Sequence, residues 1–399
     1  MKSDFFEQDS KVIAPTYAKA PVVFAKGKGT RLFDCEGKEY LDFASGISVN
    51  ALGHLNVAIV KAIKKQSKKY LHISNLFPNE PQIKLACKML SLTKFGKEKG
   101  KAFFCNSGTE ANEAAIKFAR KYFFCKGENR TEIITFANSF HGRTYGALAA
   151  TGQEKLKEGF GPMPASFRHV EWNNAEELKK TVGKNTAAIM LEPIIAEGGI
   201  LTPSKEFIKT INQLKKQSGC LVIADEIQTG LGRSGAISCS ELFGINADAA
   251  TWAKALGGGL PLGMVLMSAK IAQCLKPGTH GTTFGGNPVA CAAGLAALEL
   301  ISRPKFLASV NERSKQLRGG LEALAKKHSW LGEVRGLGLL LGIECEKNVA
   351  SVISACREQG LLILRAGTNI LRFLPPLTAT KNDVKEALKK LEKAALTLT

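Results

Sequence analysis

The chain has 399 residues, 45% hydrophobic and 23% charged, enough for a large core and two domains. No apolar run is long enough to cross a bilayer, and the start, Met1-Lys2-Ser3-Asp4-Phe5-Phe6-Glu7, lacks an apolar signal core, so a cytosolic protein without a membrane partner is expected. The net charge of +20 is read first as a solvated surface, second as steering of anionic substrates and last as nucleic-acid binding, because its lysines lie in amphipathic helical runs such as 61–69 and 385–393 with no aromatic-basic module.

The segment from Gly29 to Phe43 alternates around a Glu36-Gly37 turn and predicts a β-hairpin. Residues 57–70 and 80–90 predict helices, the second with Pro81 in its first turn. From about 101 to 266, short apolar strands alternate with amphipathic helices. The strands are Ala102–Cys105, Glu132–Phe136, Ala187–Leu191, Leu221–Ala224 and Gly263–Met267, and helices are expected after Ser107, Thr202 and Asn287. This is the α/β signature, a mainly parallel central sheet covered on both faces. Beyond about 302 come a charged helix (305–328), an apolar stretch (334–344), another helix, short strands and a last helix (381–396), a smaller α+β domain. The expected division is 1–55 joining the small domain, 56–301 as the large domain and 302–399 as the small one.

Ten cysteines form no CxxC pair and read mostly as small buried hydrophobes; six histidines show no HExxH spacing, so no metal is expected. The chemistry concentrates elsewhere. The apolar run Cys220–Ala224 ends in Asp225-Glu226-Ile227-Gln228, and Thr251-Trp252-Ala253-Lys254 is closed by Gly257-Gly258-Gly259. A lysine in a small apolar pocket loses its proton and forms Schiff bases. Pyridoxal phosphate pairs such a lysine with an acidic partner for its ring nitrogen. Either segment alone is commonplace; together they favour a cofactor site.

Ser107-Gly108-Thr109-Glu110 follows a strand and opens a helix, with Ser107 and Glu110 in capping-box spacing. The free N–H groups there bind an anion, and after a buried strand a phosphate reading moves ahead of an ordinary cap. Phe140 suits stacking on a flat ring and Arg143 a fork onto a carboxylate, although core packing and a surface ion pair are the plainer readings. Thr282 and Thr283 precede Gly285-Gly286-Asn287-Pro288, where Asn287 reads as a cap. Gly336-x-Gly338 lacks the third glycine of a dinucleotide loop.

These motifs resemble the class III, or ornithine-type, pyridoxal-phosphate aminotransferases, from about Pro15 to the last helix. The likeness is carried by residues 41–54 (LDFASGISVNALGH), 106–113 (NSGTEANE), 225–230 (DEIQTG) and 281–288 (GTTFGGNP). It implies a fold type I transferase and a homodimer with shared sites. It implies that Lys254 carries the cofactor as a Schiff base, that Asp225 keeps the ring nitrogen protonated and that Gln228 bonds near the phenolate oxygen. Phe140 would cover a ring face, Ser107, Gly108 and Thr109 would hold the phosphate, and Glu226 and Ile227 would join the cofactor set. Thr283 would reach the neighbouring subunit's phosphate and Thr282 its substrate. Arg143 would bind the donor α-carboxylate, and Glu197 would switch Arg372 between donor and 2-oxoglutarate. The family's usual Gln-Gly is Ile195-Ala196 in this chain.

The expected reaction is ping-pong transamination of N2-acetyl-L-ornithine with 2-oxoglutarate, giving N-acetyl-L-glutamate 5-semialdehyde and glutamate in arginine biosynthesis. Ile47 stands where free-ornithine members carry tyrosine, and residues 72–77 resemble the acetylornithine branch. Succinylornithine, N-succinyl-diaminopimelate, ornithine and 4-aminobutyrate stay open as donors. A lysine Schiff-base enzyme without pyridoxal and a basic nucleic-acid-binding protein are the readings from other classes.

Overall fold

A computed structural model describes residues 2–398; Met1 and Thr399, the outer limits of the expected domains, lie outside them. Its centre is a seven-stranded sheet of β1 (Lys101–Cys105), β2 (Glu132–Phe136), β3 (Phe167–Val170), β4 (Thr186–Leu191), β5 (Leu221–Asp225), β6 (Ala249–Trp252) and β7 (Gly263–Met267). The spatial order is β1-β7-β6-β5-β4-β2-β3. β7 runs antiparallel to both its neighbours, β1 and β6, while the pairs from β6 across to β3 are parallel. The α/β class with a mainly parallel sheet is therefore what the chain adopts.

The inner strands are mostly apolar because both faces are covered. Successive side chains alternate sides. In β4 and β5, Ile189, Leu191, Val222 and Ala224 join one hydrophobic cluster, and Ala188, Met190, Leu221 and Ile223 another. Helix α1 (Gly108–Cys125) packs on the second with Ala111, Ala115, Phe118 and Phe123. The helix Lys205–Ser218 packs on the first with Phe207, Ile211 and Leu214.

The predicted hairpin forms as Arg31–Asp34 and Glu39–Asp42, and a short strand far along the chain joins it: Leu361 and Leu362 pair in parallel with Leu41 and Asp42. A further antiparallel sheet holds Leu331–Leu337, Leu340–Cys345, Ile370–Phe373 and Leu364–Ala366, in that order. Arg233 ties the loop after β5 to this region. Its buried guanidinium donates to Leu339 O at 3.0 Å and Pro375 O at 2.6 Å.

The helices expected after Ser107 and Thr202 both form, and the capping of the first departs from expectation. The helix expected after Thr202 begins at Lys205, because the Ser204 hydroxyl accepts the Phe207 N–H at 3.1 Å and so supplies the cap. At α1 the Ser107 hydroxyl accepts the Glu110 N–H at 3.3 Å, but the return half of the capping box is absent. The Glu110 carboxylate instead takes both the backbone and the side-chain N–H of Asn106. Asn287 caps Pro288–Ile301 as expected, accepting from Val289 N and Ala290 N. Among the described residues no helix is long and apolar enough to cross a membrane.

Candidate active site

A cavity of about 460 Å³ opens at the carboxyl ends of β4 and β5, where ligands of open α/β sheets bind. It is lined by the start of α1 (Ser107, Gly108, Thr109), by Phe140 and Arg143, and by Asp225, Ile227, Gln228 and Lys254. Residues from four separate stretches thus share one wall.

Asp225 is the last residue of β5 and is buried. Its Oδ2 accepts from Asn112 Nδ2 at 2.7 Å and faces His141 Nδ1 at 2.8 Å. Its Oδ1 accepts the Ile227 N–H at 3.1 Å. Asn112, on α1, also donates to His141 O at 2.7 Å and accepts from Thr251 Oγ1 of β6 at 2.8 Å. The carboxylate is thereby fixed from a helix, a loop and a strand.

Lys254 follows β6 with φ of +50°, a conformation rare for a residue with a Cβ. Burial pushes its ammonium down to about 8; the Glu197 charge opposes that shift and Arg372 adds to it. A lysine so displaced carries a useful fraction of free amine near neutral pH.

At the start of α1, a Cβ on Gly108 would come within 2.8 Å of Ile227 Cδ1, so glycine lets Ile227 lie against the helix end. The Thr109 hydroxyl is engaged with the next loop. It bonds to Thr144 Oγ1 at 2.8 Å and accepts from Arg143 N at 3.2 Å and Thr144 N at 3.3 Å. Phe140 is half-buried. The exposed Arg143 guanidinium lies 5.8 Å from its ring centroid, with no carboxylate partner among the described residues. The plain alternative of a surface ion pair for Arg143 is thus absent.

Glu197, Arg372 and Gln228 close a ring. Arg372 Nη1 and Nη2 fork onto Glu197 Oε1 and Oε2 at 2.7 and 3.1 Å. Arg372 also donates to Gln228 Oε1 at 3.0 Å, and Gln228 Nε2 donates to Glu197 Oε1 at 3.1 Å. Burial pushes the Glu197 carboxyl up, but the Arg372 charge and hydrogen bonds, with the charge of Lys254, hold it below its ordinary value. Ile195 forms a β-bridge with Leu201, and Ile194, Ile195 and Ala196 are all buried, so the segment is held by apolar packing.

Glu226 does not line the cavity. It turns away and takes Thr229 Oγ1 at 2.6 Å, Ser238 Oγ at 2.9 Å and Ser240 N at 2.6 Å, shaping the loop after β5. Thr282 and Thr283 also lie off this cavity and line a neighbouring one of about 440 Å³ with Asn106, Glu110 and His280.

A model of the class-III aminotransferases matches residues 12–395. This chain belongs to that family. The aminotransferase is 48% identical over 386 residues to the acetylornithine aminotransferase of Caldanaerobacter subterraneus subsp. tengcongensis, covering 96% of this chain and 97% of that one. It is 43% identical to the acetylornithine aminotransferase of Methanocaldococcus jannaschii, covering 98% of each. Among solved structures, the ornithine aminotransferase of Toxoplasma gondii superposes with a TM-score of 0.94 at 31% identity, covering 100% of this chain and 96% of that chain. The aminotransferase is a fold type I enzyme dependent on pyridoxal 5'-phosphate.

Sequence reasoning did not single out Asn112, His141, Thr251 or Glu192. Buried Glu192 follows β4 and also lines the cavity. Burial pushes its carboxyl up to about 7; His141 and the N–H groups of Phe140 and Ala196 pull it down, while Asp225 pushes it further up.

Proposed function

We propose that the enzyme moves the side-chain amino group of N2-acetyl-L-ornithine to 2-oxoglutarate, giving N-acetyl-L-glutamate 5-semialdehyde and L-glutamate. The observation that carries the donor is the near-full-length likeness, at 40–48% identity, to enzymes named for that activity. Half-exposed Ile47, rather than a large phenol, is compatible with an acylated α-amino group.

The residues fit pyridoxal phosphate on three observations. Asp225 has an oxygen with acceptor capacity left on the cavity floor. The helix start at Gly108 offers N–H groups and positive dipole to an anion. Lys254 between them is pushed down towards neutrality. Bound there, the cofactor supplies an electron sink for the donor's reacting carbon.

In this reading Lys254 anchors the cofactor, and Ser107, Gly108 and Thr109 hold its phosphate. Ile227 packs beneath the phosphate end and Phe140 covers a ring face. Gln228, tied into the Glu197–Arg372 ring, keeps the phenolate side polar. Displaced by the donor, Lys254 Nζ takes a proton from the donor's Cδ, and in the second half it returns one to C2 of the glutamate skeleton. Arg143, free of a protein carboxylate, binds the donor α-carboxylate. Arg372 stays masked by Glu197 while the donor is bound and turns to the second carboxylate of 2-oxoglutarate when that pair opens. A donor panel with 2-oxoglutarate, read as glutamate formed, tests the reading. Acetylornithine is expected to give the highest kcat/KM; a higher value for free ornithine or 4-aminobutyrate overturns the donor assignment.

We also propose a homodimer in which Thr282 and Thr283 serve the partner's site. Leu71, Leu76, Phe77 and Phe284 are exposed. Their two segments are bound together by Asn75 Nδ2 donating to Thr282 O and Gly285 O and by Asn287 Nδ2 donating to Leu71 O. Such a patch marks an interface. Mixing Lys254→Ala with Thr283→Ala subunits is expected to restore activity above that of either variant, since each mixed dimer would hold one intact site. No gain on mixing, with subunit exchange verified, rejects shared sites.

A further inference from the structure

We infer that Glu192 is a positioning residue whose one carboxylate sets the ring-covering segment and the carboxylate-switch segment as a unit. The inference rests on the roles proposed above for Phe140 and Glu197. Glu192 leaves β4, which lies between β5 and β2 in the sheet. On one side is Asp225 at the end of β5; on the other β2 leads into the loop that carries Phe140. The Glu192 side chain is buried, and both its oxygens are spoken for. Oε1 accepts the Phe140 N–H at 2.8 Å, and Oε2 accepts the Ala196 N–H at 3.1 Å. Neither N–H has another acceptor among the described residues.

The two loops also touch directly. A Cβ on Gly198 would lie 2.1 Å from Asn138 O, so glycine permits the approach. Ala196 O in turn accepts from Arg372 at 3.4 Å, and the Gly367 N–H donates to Glu197 O at 2.6 Å. A continuous path therefore runs from the Phe140 backbone through Glu192 to Glu197 and Arg372. A carboxyl group of this length presents an acceptor oxygen to each of the two N–H donors. An amide of the same shape turns a donor towards one of them and leaves a buried N–H without a partner.

Neither contact moves a proton of the reaction, so the test reads geometry as well as rate. Glu192→Gln, loaded with pyridoxal phosphate, is compared with wild type in two measurements. One is the visible circular dichroism of the bound cofactor, which reports the ring's asymmetric surroundings. The other is the ratio of kcat/KM for glutamate to that for acetylornithine in the isolated donor half-reaction, which reports the Glu197–Arg372 switch. Both are expected to change together, the ratio by at least about fivefold, with KM moving more than kcat. Glu192→Asp keeps the charge but cannot span both N–H groups, and it is expected to show the same paired change; it carries the test if the glutamine variant does not fold. Wild-type values in both measurements, or a change in only one, overturn the inference. The wild-type chromophore and half-reaction check the underlying assignment separately: a wild-type chain that takes up no pyridoxal phosphate defeats the proposed function, not the clamp.

Discussion

Lys254→Ala is expected to lower kcat by about 10⁴-fold or more, because one side chain supplies both the covalent anchor and the proton carrier. Lys254→Arg is expected to fail as completely, since a guanidinium does not give up its proton in a protein. Small primary amines distinguish lost chemistry from lost structure. Ethylamine, fitting the space left by the lysine stem, is expected to restore measurable turnover to the alanine variant and none to the arginine variant. The depressed lysine adds a pH signature. With its ammonium pushed down to about 8, the cofactor-free protein is expected to take up pyridoxal phosphate faster as pH rises and to level off above about 8. At pH 7 about one-tenth of such a lysine is free amine, against roughly four in ten thousand at the ordinary lysine value near 10.4. Stopped-flow absorbance between pH 6 and 10 measures this; a rate still climbing steeply beyond pH 9 rejects the depressed value. Borohydride reduction and peptide mapping locate the anchor independently, and an adduct elsewhere rejects Lys254.

Most of the large sheet is legible because strands such as β4, β5 and β7 are buried on both faces and read as apolar runs; β6 is as fully buried but is not among the strands read from the sequence, since Ala249–Trp252 is only four residues long and opens on two alanines. β3 escaped because it is an edge strand: Phe167–Val170 mixes half-buried, exposed and buried positions and gives no such run. The residues at segment ends, Ser107, Asp225 and Lys254, were equally legible, since a strand end followed by a turn puts its last side chain at the mouth of the sheet. Glu226 was assigned to the cofactor by motif alone. Strand alternation argues the other way, since a residue next to an inward Asp225 points to the opposite side, and Glu226 meets Ser238 and Ser240 there. Asn112 gave no local sign. A polar residue in a helix reads as solvated, and the contact that explains it spans 113 positions to Asp225. Glu192 was hidden likewise, since its two partners are backbone N–H groups, which a sequence does not mark. For Phe140 and Arg143 the plain readings outweigh the functional ones on the residues alone; the family resemblance reverses that order, and the fold places both on the cavity wall.

Asp225→Asn is expected to lower kcat by about 10³-fold while leaving the fold intact, a loss of the size that follows removal of one preorganised electrostatic contact. The asparagine oxygen can occupy the Oδ2 position and keep Asn112 Nδ2 and the His141 ring as partners. Its amide then takes the Oδ1 position, withdrawing the acceptor of the Ile227 N–H and presenting a donor to the cofactor's ring nitrogen where the aspartate presented an anion. That nitrogen loses the charge that holds its proton, and the electron sink weakens although every neighbouring side chain remains. Asp225→Ala is a different experiment. It leaves the Asn112 amide and the buried His141 ring facing a void, at a cost of about 1–3 kcal/mol for each unpaired group. The alanine variant is therefore expected to lose thermal stability together with activity, whereas the asparagine variant, which gives up only the Ile227 N–H contact, loses activity with a smaller drop in melting temperature. Melting temperature and single-turnover rate, measured on both, separate the two effects. An asparagine variant within about tenfold of wild type would place the ring-nitrogen partner elsewhere, and the search would pass to His141, whose Nε2 is buried without a hydrogen-bond partner among the described residues.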